Sequence, residues 1–330
     1  FVMSRAEASP DTDVSEAWDQ DNQAWWDWYV SLADNSEEAC GLEPAPPLPD
    51  VELPSDAEVI AELATPYPLT DGDIEFFLNN GFIKLKGVLS PGAVMKLRSE
   101  LRRLLYAEFS VDPDDGAQDR FLSLEMIWPD NPLLKAYVVS PRLAQISADL
   151  LQRDAVRLYH DNVLAKQPGC GRTPWHYDEH HFPLDTNDVV TAWAPAQAIP
   201  LAMGPLAFAY PLNVHELVNA VTFEKSGTGY DRGVAEVFAR NNVAVDETPF
   251  EIGEVSFHHN LSFHTAARNL TDRSRIVLAN TYYADGAKVV DSPTMVSGDW
   301  QKFMPGVAPG EIAASRLNPV CWPAQGADDE

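Results

Sequence analysis

The apolar positions change rhythm along the chain. Between residues 69 and 151 they recur every three or four positions; after residue 155 they fall in short runs broken by Gly, Pro, Asn and Asp. Thr70, with Asp73 three positions on and Gly81 as the stop, predicts a helix over Thr70–Asn80. Phe82-Ile83-Lys84-Leu85-Lys86 then alternates as a strand. Ser90 and Pro91 open a second helix, whose Val94, Leu97, Leu101, Leu104 and Leu105 share helical spacing while Lys96, Arg98, Arg102 and Arg103 fall on other faces. Leu133–Leu151 reads as helix broken at Pro141. The strand candidates that follow are Val156–Lys166, Val189–Ala198, Pro205–Tyr210, Phe250–His258 and Arg275–Tyr283. Helices first and strands after predict an α+β chain, mainly β, with N-terminal helices packed on a β-sandwich or barrel.

The first sixty residues break this texture. They carry 15 acidic residues and one basic residue, Arg5, in a chain whose 50 Asp plus Glu against 23 Lys plus Arg give a formal charge of −27. Ser15–Leu32 has helical potential and gathers Trp18, Trp25, Trp26, Trp28 and Tyr29. Acidic tails that stay disordered are poor in aromatics, so this segment is expected to dock, as a helix on the main body, a lid or a dimer contact. Glu43-Pro44-Ala45-Pro46-Pro47-Leu48-Pro49 cannot continue a helix and reads as an extended linker. Such acidity repels phosphate backbones and anionic bilayers, which argues against nucleic-acid partners and membrane insertion and disfavours bulky polyanions such as acyl-CoA. No apolar run approaches the roughly 18–20 residues of a bilayer span. Cys40, Cys170 and Cys321 form no disulfide framework, and the opening residues lack a secretory pattern; both place the expectation in the cytoplasm.

The eight histidines, His160, His176, His180, His181, His215, His258, His259 and His264, all fall in the β region. In Trp175-His176-Tyr177-Asp178 an imidazole and a carboxylate stand two positions apart. In an extended strand such positions share a face at about 6.5–7 Å, so both could converge on one ion. A third ligand from a neighbouring strand would complete the two-His, one-carboxylate set of non-haem Fe(II) oxygenases. The tripeptide alone is common by chance. The block from Gly253 to Leu278 adds weight with His258, His259, His264 and Arg275.

Taken in order, these segments resemble the phytanoyl-CoA dioxygenase-like family of Fe(II)/2-oxoglutarate-dependent oxygenases over roughly residues 69–290. Thr70–Leu89 looks like the family's opening helix, Gly-Phe turn and first strand. Arg157-Leu158-Tyr159-His160-Asp161-Asn162, through Lys166 to Trp175-His176-Tyr177-Asp178, looks like the strand pair carrying the first two ligands. Val190-Thr191-Ala192-Trp193 looks like the strand after them, and Gly253–Leu278 like the distal-histidine strand and its arginine.

The resemblance implies a double-stranded β-helix (jelly roll) core over 61–330, preceded by the acidic extension and linker of 1–60. It implies His176, Asp178 and His264 as metal ligands, with no catalytic residue beyond them. Arg275, eleven positions after His264, would pair with the far carboxylate of 2-oxoglutarate, a task suited to a planar guanidinium. Asn162 and Trp193 fall where the family contacts the cosubstrate, and Thr265, next to the ligand His264, is a further candidate for that contact. His258 and His259 are rivals of His264 that otherwise orient a ligand or fill the core. At least one of His180 and His181 is expected at the mouth of the site, with a surface-loop role as the alternative, and Arg268 and Arg273 face solvent or bind an anionic group. The stretch Tyr210–His215 lacks a Gly-Ser that such families often carry, which alters that loop.

The expected activity is oxidation of a small organic molecule at a C–H bond with O2 and 2-oxoglutarate, releasing succinate and CO2. Hydroxylation, or desaturation or ring closure, is favoured over halogenation because halogenating relatives have a non-ligating residue in place of the carboxylate. The sequence leaves room for a homo-oligomer. Two other readings stand beside this one. One is a zinc or cupin-type enzyme using His258, His259 and His264 without 2-oxoglutarate; the other is a non-catalytic jelly-roll binding module.

Overall fold

The computed structural model describes residues 41–114, 119–221, 229–293, 298 and 300–323. Ser15–Leu32 with its tryptophans lies outside the described residues, as does Cys40. From Gly41 the chain runs extended to the first helix, strapped to the body rather than spanning open space. Glu43 N–H donates to Leu270 O (2.8 Å), Asp272 N–H donates to Glu43 O (2.9 Å), and the Arg273 guanidinium donates to Pro46 O.

Helix α1 (Asp56–Ala64) is opened by a Ser55–Glu58 capping box and buries Val59 and Leu63. The packed body therefore includes Asp56–Ile60, inside the segment assigned to the extension. Helix α2 (Asp71–Asn80) carries the expected Thr70–Asp73 box and ends at Gly81, whose φ of 78° is the left-handed cap glycine accommodates. Strand β1 (Phe82–Leu85), α3 (Pro91–Phe109), β2 (Phe121–Glu125), α4 (Pro132–Val138) and α5 (Pro141–Leu151) follow. Then come β3 (Val156–Lys166), β4 (Thr173–His176), β5 (Val189–Pro195), β6 (Leu206–Tyr210), α6 (Val214–Val218), α7 (Gly229–Asn241) and β7 (Ala244–Asp246). The last strands are β8 (Val255–His259), β9 (Phe263–Ala266), β10 (Arg275–Ala284) and β11 (Val320–Trp322).

Among the described residues these strands make two antiparallel sheets. The larger runs β1-β8-β5-β10-β3-β11, with β2 also on β3; the smaller runs β4-β9-β6-β7. They face each other as a jelly roll. The outer face of the large sheet carries Val163, Ala165, Val190, Ala192, Phe257, Ile276, Leu278 and Tyr282, packed against helical Leu97, Leu101, Leu134, Leu143 and Ile146. The inner face turns Trp193, Val277 and Ala279 toward Leu206, Phe208 and Ala266 of the small sheet. Strand β10 is buried at every position because both its faces are covered.

Arg98 departs from the helical reading. It is 1% exposed, and its guanidinium grips Asp114 at 2.9 Å and Gln197, while Gln197 in turn bonds Ile276 N–H (3.2 Å) and O (3.1 Å). A buried cation so paired can occupy the core side of a helix, which spacing alone does not reveal.

Candidate active site

Alternation along the strands decides which side chains enter the barrel. In register, His258 of β8 lies beside Thr191 of β5, Thr191 beside Thr281 of β10, and Thr281 beside His160 of β3. One step along, Trp193, Ala279 and Asn162 form the next inner row, and Arg275 and Lys166 end the series. Ser123 of β2 donates to Asn162 Oδ1 at 3.1 Å.

Across the barrel, His176 of β4 pairs in register with His264 of β9, and their rings lie 4.2 Å apart. Each has its Nδ1 fixed by a backbone carbonyl two residues earlier: His176 to Pro174 O at 2.8 Å and His264 to Ser262 O at 2.9 Å. That places the proton on Nδ1 and turns the Nε2 lone pair inward, the arrangement a metal-binding imidazole needs. Burial pushes both imidazoles below their ordinary range, which favours the neutral form that binds a metal.

Asp178 arrives by a different route from the one predicted. Strand β4 ends at His176, and Asp178 stands at the start of a single 3-10 turn, Glu179–His181, with helical backbone angles. The same-face argument for positions i and i+2 therefore does not apply. The chain turns after His176 and is pinned by Asp178 N–H to Asn260 O (2.8 Å), which swings the carboxylate back beside His176. Burial alone would raise the Asp178 carboxyl; His264, His258 and His176 outweigh it and hold the group well below the usual carboxylate range. His176, Asp178 and His264 bring one ligand atom each to within 4.8 Å of one another. Two neutral imidazoles and one carboxylate suit Fe(II), and would leave it positions for small ligands.

Arg275 enters the barrel at the start of β10. It is 2% exposed, donates from Nη1 to Gly204 O at 2.6 Å, and has its Cζ 5.2 Å from the Trp193 ring. Its Nε is buried with no partner among the described residues. Burial lowers this guanidinium to about 10, opposed by Cys170, with no carboxylate in reach among the described residues. Lys166 is buried beside it; burial and the neighbouring Arg275 push its amine well below the ordinary lysine range, and its Nζ donates to the carbonyls of Gly171, Ala266 and Ala267. A guanidinium buried without a counter-ion is costly, and a carboxylate guest relieves that cost. Gly204 cannot be replaced here: its φ is 74° and an added Cβ would stand 2.3 Å from Ala267 O.

Three expectations change. Thr265 sits one position after His264 and so points to the other face of β9, where its hydroxyl donates to Thr173 O; it does not reach the cosubstrate seat. His259 likewise leaves the barrel, accepting Leu261 N–H at 3.2 Å and packing near Phe77, which excludes a site built from His258, His259 and His264. Arg273 is half-buried and engaged with Pro46 rather than open to solvent. His180 contacts the Tyr177 hydroxyl at 3.2 Å, and His181 lies close enough to influence both His176 and His160 electrostatically. Sequence reasoning assigned no site role to Lys166, because a lysine in a β run reads as a solvent-facing residue.

Comparison with known proteins agrees with this geometry. The phytanoyl-CoA dioxygenase (PhyH) family model matches residues 77–277. The peroxisomal phytanoyl-CoA dioxygenase of Bos taurus is 23% identical over 239 residues, covering 64% of this chain and 69% of the relative. The fold is similar to that of the non-haem alpha ketoglutarate dependent carbocyclase SnoK from nogalamycin biosynthesis, at a TM-score of 0.62 and 22% identity over 78% of this chain and 99% of that one. It is also similar to EctD from S. alaskensis with bound Fe, at a TM-score of 0.56 and 18% identity over 86% and 98% of the two chains. The chain belongs to the phytanoyl-CoA dioxygenase family and is a non-haem iron, 2-oxoglutarate-dependent oxygenase.

Proposed function

We propose that this oxygenase hydroxylates a neutral or cationic small organic molecule, with His176, Asp178 and His264 holding Fe(II) and Arg275 seating the far carboxylate of 2-oxoglutarate. The observation that carries the reading is the convergence of two imidazoles, each fixed through Nδ1, with a carboxylate held ionised between them. Bound Fe(II) and 2-oxoglutarate supply the oxidative decarboxylation, to succinate and CO2, that is coupled to oxidation of a substrate C–H bond by O2. The protein's part is positioning. The backbone carbonyls of Pro174 and Ser262 aim the two imidazoles, and Trp193 packs against Arg275 while Asn162 lines the same inner face. Phe82 and Phe208, stacked at 4.5 Å, wall the barrel against water.

A carboxylate at position 178 fills the place a halide would take, which favours hydroxylation. The substrate preference rests on charge. The chain is strongly acidic, and Arg273 and Lys302 are engaged, with Pro46 and with Glu125 at 2.8 Å. Succinate formation from 2-oxoglutarate by protein loaded with Fe(II), followed by a screen for products heavier by one oxygen, tests the proposal. Fe(II)-dependent succinate that rises with a neutral or cationic compound supports it; no turnover by the metal-loaded protein overturns it.

A further inference from the structure

We infer that His258 is a positioning residue for the metal-binding carboxylate, locking the oxygen of Asp178 that does not face the ion; this rests on the triad proposed above. The two oxygens of Asp178 look at different imidazoles. Oδ1 is 3.5 Å from His176 Nε2, and Oδ2 is 3.6 Å from His258 Nε2. An aspartate sharing an ion with His176 through Oδ1 leaves Oδ2 without that partner, and a carboxylate oxygen in a largely enclosed site (side chain 16% exposed) gains from a donor. Asp178 lies beyond the end of β4, so no strand ladder fixes its direction; a side-chain restraint has to supply it.

His258 is placed to be that restraint. Its side chain is 3% exposed, and its ring is wedged 4.7 Å from the His264 ring and 5.6 Å from Phe208. A separation of 3.6 Å is just longer than a hydrogen bond, and a small rotation of either side chain closes it, as is common for such contacts before ligands bind. The ring nitrogens separate this role from ligation. His176 and His264 both have Nδ1 tied to a backbone carbonyl, which leaves Nε2 as the lone-pair atom. His258 lacks that tie: its Nδ1 is buried with no hydrogen-bond partner among the described residues. With an ion shared by His176 and Oδ1, as proposed, none stands between His258 Nε2 and Oδ2 (3.6 Å), where two lone pairs would repel, so Nε2 carries the proton and donates. His258 also falls outside the group whose ligand atoms lie within 4.8 Å of one another.

Anaerobic titration with Co(II), used as a spectroscopic stand-in, and with Fe(II) tests the assignment without relying on turnover. Metal affinity should fall about 10- to 100-fold in His258→Leu, the range for loss of a partner that orients a ligand. His258→Gln keeps an N–H donor and should recover most of that loss, with the visible Co(II) bands unchanged in both because the ligand set is unchanged. Should the leucine variant not fold, His258→Met fills similar volume and carries the same expectation. Affinity within twofold of the parent in the donor-less variant overturns the inference. So does a loss in both His258→Leu and His258→Gln as large as that of His264→Ala with shifted Co(II) bands, which would make His258 a ligand. Parent-like affinity in His264→Ala would instead bring down the triad itself, and this inference with it.

Discussion

The large sheet has two buried faces of opposite character, and two aspartates mark the difference. On the outer face, Asp161 of β3 accepts Ile127 N–H at 3.0 Å through Oδ2, while Oδ1 is buried with no partner among the described residues. Burial pushes its carboxyl up to about 7, against the pull of backbone donors. Inside the barrel, Asp178 is largely enclosed, with its side chain 16% exposed, but ringed by His264, His258 and His176, and is held low. Burial alone would raise both carboxyls; what differs is the company. The outer face pairs helices with apolar strand positions and provides stability. The inner face gathers the ionisable groups Asp178 and Arg275, each of which the proposed ion or diacid would meet with opposite charge.

The comparison breaks most sharply at the ligands. His264→Ala should lower Fe(II) affinity by more than about 100-fold, beyond the range for residues that only orient a ligand, and abolish succinate formation while the far-ultraviolet circular dichroism stays native. Loss of the fold in that variant would show that the inner face also carries stability. On the outer face the consequence reverses. Leu278→Ala should destabilise the fold by about 2–5 kcal/mol, read by chemical denaturation, with the KM for 2-oxoglutarate of the folded protein unchanged.

Arg275→Met should raise the KM for 2-oxoglutarate about 10- to 100-fold, the equivalent of one charged hydrogen-bonding partner, with Fe(II) affinity little altered. Because this guanidinium has no counter-ion in the described structure, the same change should leave the ligand-free melting temperature equal or higher. A marked fall would show that Arg275 is a structural cation. The smallest effect is expected at Asp161. Its folded pKa stands above the ordinary 3.8, so the native state binds the extra proton and stability declines as pH rises from about 4 to about 7. Asp161→Asn should therefore melt higher than the parent at pH 8, and the gap should narrow toward pH 4. An equal gap at both pH values would deny the titration.

Spans were more legible in the sequence than faces. Val156–Lys166 was predicted to the residue, because turn formers flank it, and the Thr70 and Ser90 caps announced their helices. In β10 every position is buried, so no alternation of polar and apolar residues reveals that Arg275 and Ile276 point to opposite sides. Adjacency to a ligand misled at Thr265 for the same reason. His176 and Asp178 were chosen correctly as neighbours on an argument from strand geometry, yet a turn brings them together. Strand β2 and helix α1 escaped notice: Phe121–Glu125 is short, and Asp56–Ala64 straddles the end of the acidic extension at residue 60.

The account depends on one inner-face cluster acting around one ion. A crystal structure of the chain grown anaerobically with Fe(II) and 2-oxoglutarate tests this most directly. One iron bound by His176, Asp178 and His264, with the far carboxylate of the diacid on Arg275, is the predicted result. Iron seated on His258 or His259, or the diacid away from Arg275, would contradict it.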